Sequence, residues 1–240
     1  MKRRRRSLLL IVSLLFGAAV AVGGVLAALV KYVPPAYTRA CREEATDAVK
    51  STEMLSRVTE LQQELQAAKP SWGGSFPADD FNAFLRDAFE RGGTFDGTLD
   101  RRVRSPRVWT DGDRLTVAAR YQASPFESLE SDWTTTVVSV ELRLWVVSQK
   151  PNTVAVEVCS LTAGALPVGA QRYLDRLGEA ARASNAEVTW FRTGGHPVGL
   201  FRFYASLPQA PVQIQSVTVA DGRLAVSGKG AQALLDAATP

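Results

Sequence analysis

VVSVELRLWVVSQKPNTVAVEVCSL, residues 137–161, reads as two β-strands and the turn between them. Val138, Val140, Leu142, Leu144 and Val146 alternate with residues such as Glu141 and Arg143, the period-two pattern of a half-buried strand. Lys150-Pro151-Asn152 makes the turn, and Val154, Val156 and Val158 begin a second strand that runs on to Leu161. Upstream, Leu115, Val117, Ala119 and Tyr121 repeat the alternation. Downstream, Ile214, Val217 and Val219 do so with a broken phase that a bulge near Ser216 repairs. Asp111-Gly112 and Asp221-Gly222 are hairpin turns by composition, so the strands are antiparallel.

Helices flank these strands. In SFPADDFNAFLRDAFERGG, residues 75–93, Phe81, Phe84, Leu85, Ala88 and Phe89 fall on one helical face. Pro77, Asp79 and Asp80 suit its start, and Gly92-Gly93 its end. Residues 36–68 hold no Gly or Pro, and a sparse apolar stripe (Cys41, Ala45, Ala48, Leu55, Val58, Leu61, Leu65) predicts a long helix. It either stands as a stalk or folds back on the domain, and Pro70 with Gly73-Gly74 ends it. A further amphipathic helix is expected over Gly169–Ser184, with Leu174 and Leu177 on its apolar face. The pattern predicts an α+β fold, one curved antiparallel sheet packed on amphipathic helices. The expected organisation is a basic tip (1–7), an apolar span (8–33), the helix 36–68, a domain over 70–229 and a tail (230–240).

The charge is local. Of 28 basic residues five are Lys2, Arg3, Arg4, Arg5 and Arg6, and the rest of the chain carries 23 basic against 24 acidic groups. That balance excludes a surface-wide field for nucleic acid. Residues 8–30 then run for 23 positions without a charge. As a helix they span about 35 Å, enough for a hydrocarbon core of about 30 Å. Lys31 and Tyr32 suit the interface that follows, as a snorkelling lysine and a belt aromatic. The apolar run is too long for the core of a cleaved signal peptide. These features predict a single-pass protein of the cytoplasmic membrane, with its N-terminus inside and its bulk extracytoplasmic.

Little in the sequence points to catalysis. The one histidine, His196, sits in TGGHPVG, and no nucleophile elbow, phosphate loop or metal-ligand spacing occurs. No cofactor or metal is expected. A carboxylate-dependent hydrolase is the only enzymatic alternative. Cys41 and Cys159 read as small apolar fillers, and a bridge between them is not deducible.

One link is unexpectedly apolar. AGALPVG, Ala163 to Gly169, joins the strand ending near Leu161 to the helix 169–184. Leu166 and Val168 either staple that helix to the sheet or form the lip of an apolar groove.

The FPADDFNAFLRDAF helix, the VCSLTAGALPVG corner and the closing VQIQSVTVADGRLAVSG hairpin together resemble the YpmS-like group of single-pass bacterial envelope proteins. The matching positions are Asn82 with Leu85, Gly164 with Leu166 and Pro167, and Ile214 through Gly228. The resemblance covers most of residues 75–228 and implies topology more than activity. The folds of that group are reminiscent of elongated lipid-carrying domains, which favours the groove. The long 36–68 helix and the aromatic stretch WFRTGGHPVGLFRFY, residues 190–204, depart from it. The expected function is thus an envelope module that binds a hydrophobic ligand such as a lipid. The expected groove residues are Phe81, Leu85, Leu166, Val168, Leu174, Leu177, Phe201 and Phe203. The alternative is an assembly protein that engages an envelope partner through the 36–68 helix or a sheet edge.

Overall fold

The computed structural model describes residues 21–67, 69–90, 102–122, 135–150, 152–169, 171, 174–175, 179, 186–203 and 213–230. Residues 21–31 form a helix, α1, followed by α2 (Pro35–Ala40) and α3 (Asp47–Gln66). Next come β1 (Ser71–Pro77), α4 (Ala78–Glu90), β2 (Val103–Asp111), β3 (Arg114–Gln122), β4 (Thr135–Val146), β5 (Thr153–Ala163) and β6 (Leu166–Pro167). The chain continues with β7 (Ala186–Thr193), β8 (His196–Phe203), β9 (Gln213–Ala220) and β10 (Arg223–Lys229). The basic tip, residues 8–20, Leu177 and residues 231–240 lie outside the described residues, as does most of the expected 169–184 helix. No helix among the described residues is long and apolar enough to cross a membrane.

The fold is α+β, and its sheets are antiparallel. Among the described residues there are two of them where one was expected. The large sheet has the order β2-β3-β4-β5-β8-β7, with β6 added on β5. The small one is β1-β10-β9. Its first strand, SWGGSFP, reads in sequence as a break between helices because glycine weakens a strand. Pairing overrides that weakness: Trp72, Gly74 and Phe76 lie opposite Gly228, Val226 and Leu224. Trp72 and Phe76 are buried on alternate positions, and a side chain at Gly228 would collide with the Trp72 ring.

The hairpins follow the sequence. Ala220 pairs with Arg223 across Asp221-Gly222, both at positive φ (49° and 76°), which is the two-residue turn whose twist matches the strands. On β9, Ser216 pairs with Ser227 but Ile214 pairs with Gly228, so Gln215 is the extra residue of a bulge beside Ser216. The aromatic stretch 190–204 falls largely in the β7–β8 hairpin. His196 opens β8, and Gly194-Gly195 makes the turn.

The 36–68 helix is two helices. Asp47 is drawn inside to pair with Arg86 of α4, and the Glu44 amide donates to Asp47 Oδ2 at 3.0 Å. That turn interrupts the helix between α2 and α3. α3 packs on α4 and β1, so it is no free stalk. Its inner face is Asp47, Ser51 and Met54, with Val58, Leu61 and Leu65 half-buried, whereas Ala48 and Leu55 of the expected stripe point outward.

The two faces of the large sheet are covered unequally. Tyr37 of α2 is wholly buried against Ala118 and Val137, with Cys41 and Trp109 around it. Its hydroxyl donates to the Ser105 carbonyl at 2.8 Å, where β2 bulges and Ser105 takes a φ of 50°. Burial pushes the Tyr37 phenol well above its ordinary range. On this side Thr116 and Ser139 are buried too. The opposite face carries Leu115 and Val117 and was expected to be the core face. There Val117 remains 38% exposed.

Candidate functional site

α4 builds the site with two adjacent stripes. Phe81, Leu85 and Phe89, spaced i, i+4, i+8, face the apolar side of the large sheet. Asn82, Arg86 and Glu90 repeat the spacing one residue on, and each finds a polar partner. Asn82 Nδ2 donates to the Val108 carbonyl at 2.8 Å, and its Oδ1 accepts from the Val108 amide at 2.7 Å. The carboxamide therefore stands where a neighbouring strand would, because β2 is the sheet's edge. Arg86 pairs with Asp47, both buried, and donates to the Arg42 carbonyl at 3.0 Å. Glu90 Oε1 meets Arg107 Nη1 at 2.7 Å. The apolar stripe is legible in the sequence. The polar one has the same signal and is easily passed over, since polar residues on a helix usually face water.

The polar clasps hold α4 beside β2 while the apolar stripe stops short of full contact. The result is a groove of about 310 Å³ between α4, the β2–β3 hairpin and β10. Its walls are Phe76, Ala78, Phe81, Leu85, Phe89, Pro106, Val108, Leu115, Val117 and Leu224, and Thr110 is the sole hydroxyl-bearing one. That volume is at the small end of the roughly 300–1,000 Å³ of ligand sites. Ala78, Val108 and Thr110 also line a second hollow of about 650 Å³. This one is polar, with Arg39, Glu44, Asp79, Asp111, Asp221 and Arg223 around it.

The structure thus brings together Phe81 and Leu85 of the eight groove residues expected from sequence. Leu166 and Val168 are half-buried at and after β6, and line no part of this groove. Leu174 is buried elsewhere. Phe201 stacks edge-on against Trp190 at 5.9 Å within the β7–β8 hairpin, and Phe203 is 45% exposed near its end. The groove's other walls, from β1, β2, β3 and β10, come together only through strand pairing. Tyr32 is exposed, and Lys31 donates its ammonium to the Thr135 carbonyl at 2.8 Å.

Other polar groups pair within the large sheet. Across β3, β4 and β5, Arg114 meets Glu141 at 2.8 Å, Ser160 Oγ donates to Glu141 at 3.1 Å, and Arg143 lies 3.6 Å from Glu157. His196 Nδ1 is 3.9 Å from Glu157. A bulge in β5 places Cys159 beside this network, and burial pushes its thiol up, which keeps it neutral. Both cysteines are free. Burial also raises the Asp80 carboxyl, against the pull of Arg57 3.6 Å away, and this group faces α3 rather than the groove. Among the described residues no three metal-ligating side chains converge.

No protein-family model, curated protein or solved structure matches the chain. The resemblance to YpmS-like proteins rests on its motifs alone.

Proposed function

We propose that this chain is a membrane-anchored extracytoplasmic module whose α4 groove binds the apolar segment of an amphiphile such as a lipid. The observation that carries the reading is Val117: a valine in the middle of a sheet strand, 38% exposed, on a face lined by Leu115, Phe81, Leu85 and Phe89. An apolar concavity of this kind loses about 25 cal/mol per Å² of surface left wet, so an occupant is favoured. The adjoining polar hollow suits a head group. Four carboxylates stand against two guanidiniums there, which disfavours an anionic head. The anchor is the uncharged run 8–30 behind its basic tip.

Native mass spectrometry of the full chain released from detergent tests the reading. The expected result is one amphiphile per chain on the wild type and none on Val117→Trp, whose indole fills the groove. A ligand-free wild type, or equal occupancy of both proteins, refutes it.

A further inference from the structure

The last turn of a helix leaves its final carbonyls without partners inside the helix, and near lipid such groups are costly. At the end of α1 the domain supplies partners, beside the Tyr32 amide that reaches the Leu29 carbonyl at 3.3 Å. The Ala165 amide donates to the Leu29 carbonyl at 2.8 Å, and Thr136 Oγ1 donates to the Val30 carbonyl at 2.6 Å. The Lys31 ammonium returns a bond to the Thr135 carbonyl at 2.8 Å. Gly164 makes the approach feasible: it takes a φ of 62°, and any side chain there would collide with the Leu29 and Val30 carbonyls. Its own amide donates to the Val137 carbonyl at 2.7 Å, so turn and sheet move together.

Beyond this clamp α1 leaves the domain uncovered. Val22 and Val25 are each 59% exposed and Leu26 47%. The two ends of the β4–β5 pair also differ in charge. Residues 163–169, at the α1 end, carry none, and Ala165 and Pro167 face outward. The opposite turn presents Gln149 and Lys150 to solvent.

We infer that the turn at residues 163–169 is a membrane seat. It clamps the domain onto the end of α1 and rests in the head-group layer of the bilayer. The inference rests on residues 8–30 being a bilayer span, and it adds where and how the domain stands. The bilayer is the occupant because α1 is the described part of the uncharged run 8–30, and its Val22, Val25 and Leu26 are left open beyond the clamp. Val140 and Leu142 of β4, opposite Val117 and Leu115 of the groove, lie four and six residues beyond Thr136. At a strand's rise that is about 13 to 20 Å along β4. The groove is carried on a fixed mount and not on a swinging tether.

The test uses the full chain with Cys41→Ser and Cys159→Ser, and one new cysteine at a time: Val22→Cys, Ala165→Cys, Pro167→Cys or Lys150→Cys. Each is labelled with an environment-sensitive fluorophore and reconstituted into phosphatidylcholine vesicles containing lipid spin-labelled either near the head group or deep in the chain. The expected result is quenching at position 22 by the deep label and at 165 and 167 by the shallow one. Position 150 is expected to be severalfold less quenched than either. If 22 is quenched and neither 165 nor 167 is, the seat is overturned and the anchor stands. If 150 is quenched like 165, the domain lies flat and the seat is again overturned. If 22 is unquenched, the anchor itself fails and the seat with it.

Discussion

On β3 and β4 the two faces of the large sheet depart from the usual relation between composition and burial. Thr116 and Ser139 lie on the face that reads as polar, yet they are buried, on the side where Tyr37 and α2 close the sheet. Leu115 and Val117 lie on the face that reads as core, and α4 leaves them a groove. The difference lies in how each cover is held. α2 is held by a wholly buried tyrosine whose hydroxyl is bonded. α4 is held at its edge by Asn82, Arg86 and Glu90, so its apolar stripe can stand off from the sheet. Hydrophobic residues alone would have drawn the helix down and closed the gap.

Breaking the closed side is expected to cost most. Tyr37→Ala removes a fully buried ring and strands the Ser105 carbonyl, and about 3–5 kcal/mol should be lost, read as the shift of the denaturation midpoint. A loss below 1 kcal/mol would mean that this face is not the core. Asn82→Ala comes next. It leaves the Val108 amide and carbonyl unpartnered, at roughly 2–4 kcal/mol for the two groups together. Hydrogen exchange should speed at Val108 before it does at Ala118.

The open side is expected to respond differently. Val117→Thr should change stability by no more than about 0.5 kcal/mol, because the side chain already meets solvent, while amphiphile occupancy falls. A large stability loss without a change in occupancy would make the groove ordinary core. The smallest effect concerns pH. The folded state holds the Asp80 proton more tightly than the unfolded chain does, so its contribution to stability falls as pH rises above about 4, the ordinary aspartate range. The midpoint difference between wild type and Asp80→Asn should therefore decline over that window and then level. A difference that grows with pH would show the Arg57 pair, not burial, to dominate.

Much of the fold is legible in the sequence because it is written in short-range pattern. The β4–β5 alternation, the Asp-Gly hairpins, the bulge beside Ser216 and the apolar stripe of α4 all depend on neighbours within a few residues. Ser71–Pro77 is not legible, because its glycines read as a break and only the partner strand β10 makes it a strand. Nor is the division of residues 36–68, which follows from Asp47 meeting Arg86, 39 residues away. The site shows the same split. Phe81 and Leu85 follow from helical periodicity, whereas Pro106, Val117 and Leu224 reach the groove through three different strands. The apolar character of residues 163–169 is plain in sequence, but its clamp on Leu29 and Val30 is not.

By itself the sequence determined the α+β class, the antiparallel pairing and the amphipathic face of α4, since periodicity fixes which side of an element is apolar. Only the tertiary structure decided which apolar faces are closed and which stay open. That choice depends on buried polar partners far apart in the chain: Asn82 with Val108, Arg86 with Asp47 and Tyr37 with Ser105. No local pattern encodes those distances.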